Sequence, residues 1–225
     1  MSYWLTFIIA VAIAVTLTPV SVILAKKWGA IDYPGGRHIH SKPIPRLGGL
    51  AIYAGFWIAV AMMRGWDMYI WGLFIGSTFM LLVGLRDDMH GIRPLPKLVW
   101  QLIAASVLLF FGFQVNTLDL PLIGTLKIPR VVEILFIVFW VVSLVNTVNI
   151  SDGLDGLAAG ICFGAALLLS WSAHRIGQEN AAHLTMALAG AALGFLFFNF
   201  HPAKVFMGDC GSMFMGYIIG GVSIM

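Results

Sequence analysis

Apolar runs long enough to cross a bilayer recur along the whole of this chain. A hydrocarbon core about 30 Å thick needs about 20 apolar residues per helix, or a few fewer at the lower limit. Hydrophobic residues make up 60% of the sequence and charged residues 10%, whereas soluble domains carry about 25% charged residues. The pattern therefore predicts an all-α, polytopic transmembrane helical bundle in one domain, 1–225. The eight predicted spans are about 4–25, 48–63, 68–85, 98–113, 131–148, 156–173, 183–199 and 212–225.

The distribution of lysine and arginine predicts that the N-terminus lies outside. Cytoplasmic loops carry an excess of these residues. With the N-terminus outside, nine of the 13 basic residues fall in inside loops and four in outside loops. The nine are Lys26, Lys27, Arg37, Lys42, Arg46, Arg86, Arg93, Lys97 and Lys204.

Half of the ten acidic residues lie in three short segments between the apolar runs. These five are Asp87, Asp88, Asp152, Asp155 and Asp209. The orientation drawn from lysine and arginine alone places all three segments on the cytoplasmic side, so their convergence is an independent result. Carboxylates and phosphate oxygens are ligands that Mg²⁺ prefers. The pattern therefore predicts an acidic, metal-binding site where a phosphate attached to a lipid tail could be handled.

The first segment contains two adjacent carboxylates, Asp87 and Asp88, at the end of a span. Neighbouring acids repel each other unless a cation lies nearby, and Mg²⁺ bound to phosphates is such a cation. The alternative is a solvated helix end with Arg86 as the partner.

The second segment has a polar residue at every third position. These residues are Asn146, Asn149, Asp152 and Asp155. An unbroken helix would turn the first and last of them to opposite faces. Gly153 and Gly156 instead favour a break, with the next helix beginning near Ser151 or Asp152, which are good N-cap residues. A simple capped turn between two spans is the alternative.

The third segment and a long basic loop complete the candidate site. Asp209 could ligate a metal and Phe206 could stack on a base, although a lone aspartate is usually a turn residue. In the proline-rich stretch 31–49, Lys42 and Arg46 can meet phosphate oxygens. Anchoring beside anionic lipid heads is the alternative for this loop.

The centres of the predicted spans contain almost no ionisable residues. Proton-coupled transporters usually carry such groups at mid-membrane depth. This absence favours chemistry at the membrane surface, with a membrane transporter as the rival class.

Five stretches of the sequence resemble the polyprenyl-phosphate N-acetylhexosamine-1-phosphate transferases. They are RHIHSKPIPRLGGLAI, GLRDDMHGI, KLVWQ, NTVNISDGLDGLAAG and FMGDCGS. The resemblance implies transfer of a sugar phosphate from a UDP-sugar to a lipid phosphate, with release of UMP. The stretch KPIPRLGG is similar to members that use UDP-N-acetylglucosamine. It implies transfer to undecaprenyl phosphate at the cytoplasmic face of a bacterial plasma membrane, as the first lipid-linked step of an envelope polysaccharide.

The resemblance also implies a role for each site residue. The catalytic pair expected to activate the lipid phosphate is Asp87 and Asp88. The metal ligand is Asp209, which would hold Mg²⁺ or, as the alternative, Mn²⁺. The residues expected to bind the substrates are His40, Lys42, Arg46, Lys97, Asn149, Asp152, Asp155 and Phe206. Within that set, Lys97 faces a phosphate and Phe206 packs on uracil.

The expected partners are a UDP-N-acetyl sugar, a polyprenyl phosphate and the lipid bilayer. A homodimer is left open, and no nucleic-acid partner is predicted. The resembling family has further spans and a histidine-rich cytoplasmic loop late in the chain, and we expect this chain to lack those C-terminal spans. Two alternatives therefore remain beside the transporter: a catalytically inactive truncated relative, and phospho-N-acetylmuramoyl-pentapeptide transfer.

Overall fold

The molecule is a bundle of helices with two short β-ribbons. The computed structural model describes residues 2–34, 43–63, 65–120 and 124–225, with the backbone alone for 118–120. The helices are α1 (Tyr3–Trp28), α2 (Gly48–Ala61), α3 (Met68–His90), α4 (Pro94–Phe110), α5 (Arg130–Ser151), α6 (Leu157–Arg175), α7 (Glu179–Asn199) and α8 (Gly208–Val222). The strands are β1 (Ile31–Asp32), β2 (Ile44–Pro45), β3 (Thr117–Leu120) and β4 (Gly124–Lys127).

Five helices are long and apolar enough to cross a membrane, judged by length and composition. They are α1, α3, α5, α6 and α7. Two more, α2 and α4, are apolar but shorter. The chain is thus a polytopic helical membrane protein, as predicted. The number of eight spans and the outside position of the N-terminus stay predictions.

The helices at one end of the bundle extend past the apolar runs into the polar segments. The sequence pattern placed Asp87, Asp88 and Asp209 in loops, but the first two lie in the last turn of α3 and the third in the first turn of α8. Hydropathy marks the apolar part of a helix. It does not register polar turns that are stabilised by partners from other helices.

The predicted start of α6 is wrong. Helix α5 continues through Ser151, whose hydroxyl donates to the Thr147 carbonyl 2.8 Å away. Helix α6 begins six residues later, at Leu157, after Gly156 in the left-handed conformation (φ 73°). Ser151 therefore closes the preceding helix rather than capping the next, and the polar residues at 146 and 149 belong to one unbroken helix.

The last helix is the most enclosed element of the bundle. Every residue of α8 is buried except Asp209, which is half-buried. Helices α3 and α5 pack along it, and α2 crosses its first turn. Small residues permit this approach: a Cβ on Gly49 or Gly84 would lie 2.2–2.5 Å from the backbone of α8. An apolar helix that is covered all round is a core helix, so α8 fixes its first turn firmly among its neighbours.

The two ribbons lie at opposite ends of the bundle. Strands β1 and β2 are antiparallel and lead from α1 into α2. Strands β3 and β4 form an antiparallel hairpin between the far ends of α4 and α5. The buried Glu133 of α5 holds that region, because it accepts a hydrogen bond from the Val115 N–H at 2.8 Å and pairs with Arg130 at 2.9 Å.

Candidate active site at one end of the bundle

Lys97, in the first turn of α4, lies between two carboxylates. Its Nζ is 2.7 Å from Asp87 Oδ2 and 2.6 Å from Asp209 Oδ2. The Asn149 Oδ1 lies 3.4 Å from the same nitrogen. These four side chains come from the ends of α3, α4, α5 and α8, and we call them the Lys97 cluster. Residues far apart in sequence thus share one small, largely buried polar site.

Asp209 is held on both of its oxygens. Its Oδ2 accepts from Lys97, while its Oδ1 accepts from Asn149 Nδ2 at 2.6 Å. The same amide nitrogen lies 2.8 Å from Ser212 Oγ, one turn along α8. Asn149 therefore sets the direction of the Asp209 carboxylate relative to α8.

Asp87 is fixed from the other side of the cluster. Its Oδ1 accepts from the Ile92 N–H at 2.6 Å, which ties the carboxylate to the loop between α3 and α4. Its Oδ2 is left facing Lys97. One oxygen of Asp87 therefore holds the loop between α3 and α4, and the other takes part in the Lys97 cluster.

Asp88 points away from the cluster and into the protein. Its side chain is 0% exposed and accepts hydrogen bonds from two backbone N–H groups, those of Asp209 at 2.9 Å and Cys210 at 3.0 Å. The guanidinium of Arg46 lies 3.2 Å from its Oδ1. The two adjacent aspartates thus have different surroundings, although the sequence pattern gave them one role.

Asp152 and Arg46 lie outside the helices and share the electrostatics of this end. Burial raises the pKa of Asp152 well above its usual range, and the nearby carboxylates of Asp88 and Asp209 raise it further against the opposing effects of Arg46 and the Gly208 N–H. For Arg46, burial would lower the pKa. The combined attraction of Asp88, Asp209, Asp32 and Asp152 outweighs it, so the pKa is raised.

Asp155 is engaged with the loop between α7 and α8. Its Oδ2 accepts from the Ala203 N–H at 3.0 Å and lies 2.9 Å from His201 Nδ1. The neighbouring Asn199 fastens the same loop, because its side chain accepts from the Gly156 N–H and donates to the Val205 carbonyl. The structure does not bring Asp155 into the Lys97 cluster, and its predicted contact with a donor substrate stays a prediction.

The basic loop and the third acidic segment are joined through their backbones. The Phe206 N–H donates to the Pro45 carbonyl at 2.8 Å, and the Gly48 N–H donates to the Phe206 carbonyl at 2.9 Å. Arg46 lies between these two bonds, so the structure brings Arg46 and Phe206 close together. Phe206 is half-buried here. Two other predicted residues, His40 and Lys42, lie outside the described residues.

Comparisons with known proteins identify the family of this chain. Residues 70–225 match the model of the family described as glycosyl transferase family 4. The chain belongs to glycosyl transferase family 4. The matched part contains the whole Lys97 cluster, and it leaves out α1, α2 and the basic loop.

Curated relatives in this family match over most of the chain. The decaprenyl-phosphate N-acetylglucosaminephosphotransferase of Mycolicibacterium smegmatis is 38% identical, over 89% of this chain and 54% of its own length. The probable undecaprenyl-phosphate N-acetylglucosaminyl 1-phosphate transferase of Bacillus subtilis is 33% identical, over 97% of this chain and 62% of its own length. A phospho-N-acetylmuramoyl-pentapeptide-transferase of a Thermoanaerobacter species is 32% identical, over 84% and 63%. The chain thus spans between half and two thirds of the length of these relatives.

The donor set of the Lys97 cluster fits a magnesium ion. Three side-chain oxygens, from Asp87, Asp209 and Asn149, already surround a cation, the Lys97 ammonium. Among the described residues no three acidic, histidine or cysteine side chains form a complete metal cage. Mg²⁺ does not require one, because it usually takes one or two carboxylates and completes its shell with waters and substrate phosphates.

Sequence reasoning missed Gln101, which lies one turn after Lys97 on α4. It is 2% exposed and pairs with Asn146 of α5 through both amide groups, at 2.7 and 3.4 Å. Two polar contacts therefore join α4 to α5. One is between Lys97 and Asn149 in the Lys97 cluster, and the other, between Gln101 and Asn146, lies about one helical turn away. A glutamine in an apolar run, four residues after the lysine, is the signal that could have identified it.

Proposed function

We propose that the protein carrying this chain transfers N-acetylglucosamine 1-phosphate from UDP-N-acetylglucosamine to undecaprenyl phosphate, with release of UMP. An oxygen of the lipid phosphate attacks the β-phosphorus of the donor, and the bond from that phosphorus to the bridging oxygen breaks. The observation that carries the proposal is the convergence of Asp87, Asn149 and Asp209 around Lys97 in a family member. The names of the relatives support N-acetylglucosamine phosphate as the transferred group and a polyprenyl phosphate as the acceptor.

Both substrates are anionic, so the site has to neutralise oxygen charge as they meet. Preorganised cations and hydrogen-bond donors are the main means of catalysing phosphoryl transfer. Lys97 supplies an ammonium held in place by two carboxylates, and Arg46 supplies a partly exposed guanidinium on the adjacent loop. Bound Mg²⁺, held by Asp209 with Asn149, would add charge neutralisation at the pyrophosphate.

Asp87 is the better candidate for the base that takes a proton from the lipid phosphate. Its Oδ2 faces the cluster and has an ammonium as its neighbour. Both oxygens of Asp88 are already used within the protein. We therefore assign the catalytic role of the predicted pair to Asp87.

The surroundings of Lys97 suit a substrate whose tail lies in lipid. Three exposed apolar residues flank Lys97 on α4: Leu95, Leu98 and Val99. The first of them is 77% exposed. Ile150, which follows Asn149 at the end of α5, is 81% exposed. An apolar surface this close to the ammonium allows a polyprenyl chain to stay in the bilayer while its phosphate enters the cluster. We place this face on the cytoplasmic side of a bacterial plasma membrane.

The deciding experiment is a transfer assay in membranes that contain the protein, with radiolabelled UDP-N-acetylglucosamine, undecaprenyl phosphate and Mg²⁺. We expect labelled lipid to form, EDTA to abolish it, and Asp87→Asn to reduce it on the order of a hundred-fold or more. Glu179→Gln is the control, because Glu179 is an exposed carboxylate at the opposite end of the bundle. Label that crosses sealed vesicles without joining lipid would indicate a transporter instead.

Phospho-N-acetylmuramoyl-pentapeptide transfer is the second candidate, because relatives with that name are 32% identical to the chain. The same assay with UDP-N-acetylmuramoyl-pentapeptide separates the two. Labelled lipid from this donor alone would replace the first proposal. No product from either donor would favour the catalytically inactive alternative.

A further inference from the structure

Helix α8 begins without a cap from its own segment. The residue before it, Met207, has a buried apolar side chain and helical backbone angles, and it makes no capping hydrogen bond. The first N–H groups of a helix have no partners within the helix, and an N-cap side-chain oxygen usually accepts from the second or third of them. A buried helix start like this one needs an acceptor from elsewhere.

Asp88 supplies that acceptor from the end of α3. Its two oxygens accept from the N–H groups of Asp209 and Cys210, the second and third residues of α8. These are the amides that a local N-cap side chain would serve. A negative charge at this position also interacts favourably with the positive end of the helix dipole. Asp88 therefore acts as the N-cap of a helix 120 residues away in the sequence.

The turn packs closely against Asp88 and leaves no room for a side chain at Gly208. Gly208, with φ +70°, lies directly between Asp88 and the backbone of Arg46. A Cβ at this glycine would be 2.2 Å from the Arg46 carbonyl oxygen and 2.5 Å from Asp88 Oδ2. The carboxylate, the glycine and the basic loop thus fit together as one packed unit.

We propose that Asp88 is a positioning residue rather than a catalytic one. It holds the first turn of α8 and, through it, the carboxylate of Asp209 in the Lys97 cluster. The proposal rests on the proposed function in treating Asp209 as the metal ligand. To reach a lipid phosphate, Asp88 would have to leave two backbone N–H groups and Arg46 without their partner.

Alkylation of the two native cysteines measures whether the first turn of α8 is intact, and it does so with or without a bound metal. Cys210 is buried beside the capped amides, and Cys162 is buried in α6. In detergent-solubilised protein treated with N-ethylmaleimide, we expect Asp88→Ala to speed alkylation of Cys210 on the order of tenfold, with a smaller effect for Asp88→Asn, which keeps one acceptor oxygen. Cys162 should stay protected in both. If the alanine variant exposes both cysteines, it has lost its fold, and the asparagine variant decides.

The matched control is Asp87→Asn, a change of the same kind at the adjacent position. Its side chain contacts Ile92 and Lys97 rather than the start of α8. We expect Cys210 to stay as protected in this variant as in the parent. Equal exposure in the Asp87 and Asp88 variants would overturn the proposed division of roles.

Binding of Mn²⁺, followed by electron paramagnetic resonance, separates positioning from a merely structural role. If Asp88 acts through Asp209, Asp88→Asn should weaken Mn²⁺ binding several-fold. Faster Cys210 alkylation with unchanged Mn²⁺ affinity would show a structural role alone. No change in either measurement would leave Asp88 free for catalysis. Both results contradict the proposal. A parent protein that binds no Mn²⁺ would refute the metal assignment of the proposed function, while the cysteine result would still decide whether Asp88 holds the turn.

Discussion

At the candidate site, the two oxygens of each carboxylate have different partners. Asp87 uses one oxygen for the Ile92 N–H and the other for Lys97. Asp209 uses one oxygen for Asn149 and the other for Lys97. Because each partner fixes one direction of the carboxylate, replacing the charge without changing the shape is the most informative perturbation at this scale.

Replacing Asp209 by asparagine should remove the proposed metal ligand and leave the packing intact. We expect the rate of sugar-phosphate transfer to fall on the order of a hundred-fold or more, because several kcal/mol of transition-state stabilisation depend on the ion. Mn²⁺ titration of the purified variant should show weaker binding. Turnover and Mg²⁺ dependence close to those of the parent protein would exclude Asp209 as the ligand.

Replacing Gly208 by alanine should destabilise the protein by roughly 2 kcal/mol or more, because the left-handed backbone and the lack of space both oppose a Cβ. Thermal unfolding in detergent measures the effect. Gly160→Ala in α6 is the matched control, since a Cβ there meets nothing within 4 Å. Equal melting temperatures for the two variants would contradict the close packing described around Asp88.

At the scale of helices, two polar contacts between α4 and α5, which we call the polar seam, align these two helices. The Gln101–Asn146 pair lies one turn from the contact between Lys97 and Asn149, and both pairs join the same two helices. Most of the remaining α4 surface is apolar and would allow sliding along α5. The buried amide of Gln101 resists such sliding, because away from Asn146 it would be left without a partner.

A double-mutant cycle with Gln101→Leu and Asn146→Leu tests this seam. Asn146→Leu should destabilise the protein by roughly 1–3 kcal/mol, since it leaves the buried Gln101 amide unpaired. Gln101→Leu should cost less, because Asn146 keeps its hydrogen bond to the Val142 carbonyl. The double variant should lose less than the sum, with a coupling energy of about 1 kcal/mol. Ser106→Ala is the control on α4, because that hydroxyl bonds to Leu102 of its own helix. Additive losses would show that the two amides do not stabilise each other.

On the scale of the whole molecule, the bundle separates two polar ends. One end holds the Lys97 cluster, Asp88, Arg46 and Asp152. The other holds the β3–β4 hairpin and the contacts of Tyr3 with Glu179 and of Asp67 with Asn180. The grouping of the acidic segments at one end, expected from the lysine and arginine count, is thus present in the structure. The same count predicts that the end with the Lys97 cluster faces the cytoplasm.

Cysteine labelling in intact cells tests the orientation. Lys127→Cys on the hairpin and Lys204→Cys beside α8 are both exposed and lie at opposite ends. A charged, membrane-impermeant maleimide should label the first from outside and the second after the cells are opened. The native cysteines are buried and should not interfere. Labelling of both positions from the same side would refute the N-out layout.

The sequence alone determined the class of fold and the approximate position of each helix. Apolar runs of bilayer length leave few alternatives to helices, since every backbone polar group needs a partner within lipid. The rare acids in such a chain stand out for the same reason. The motif resemblance led to the right family, because its residues lie close together in short stretches.

The tertiary structure decided what each of those residues touches. Hydropathy ended α3 about a turn too early, before Asp88, and began α8 about a turn too late, after Asp209, because it does not register polar turns that other helices stabilise. It also could not distinguish Asp87 from Asp88, which are adjacent in sequence but project from α3 in directions about 100° apart. One meets Lys97 and the other meets the start of α8, and this difference arises from packing between elements that local sequence does not encode.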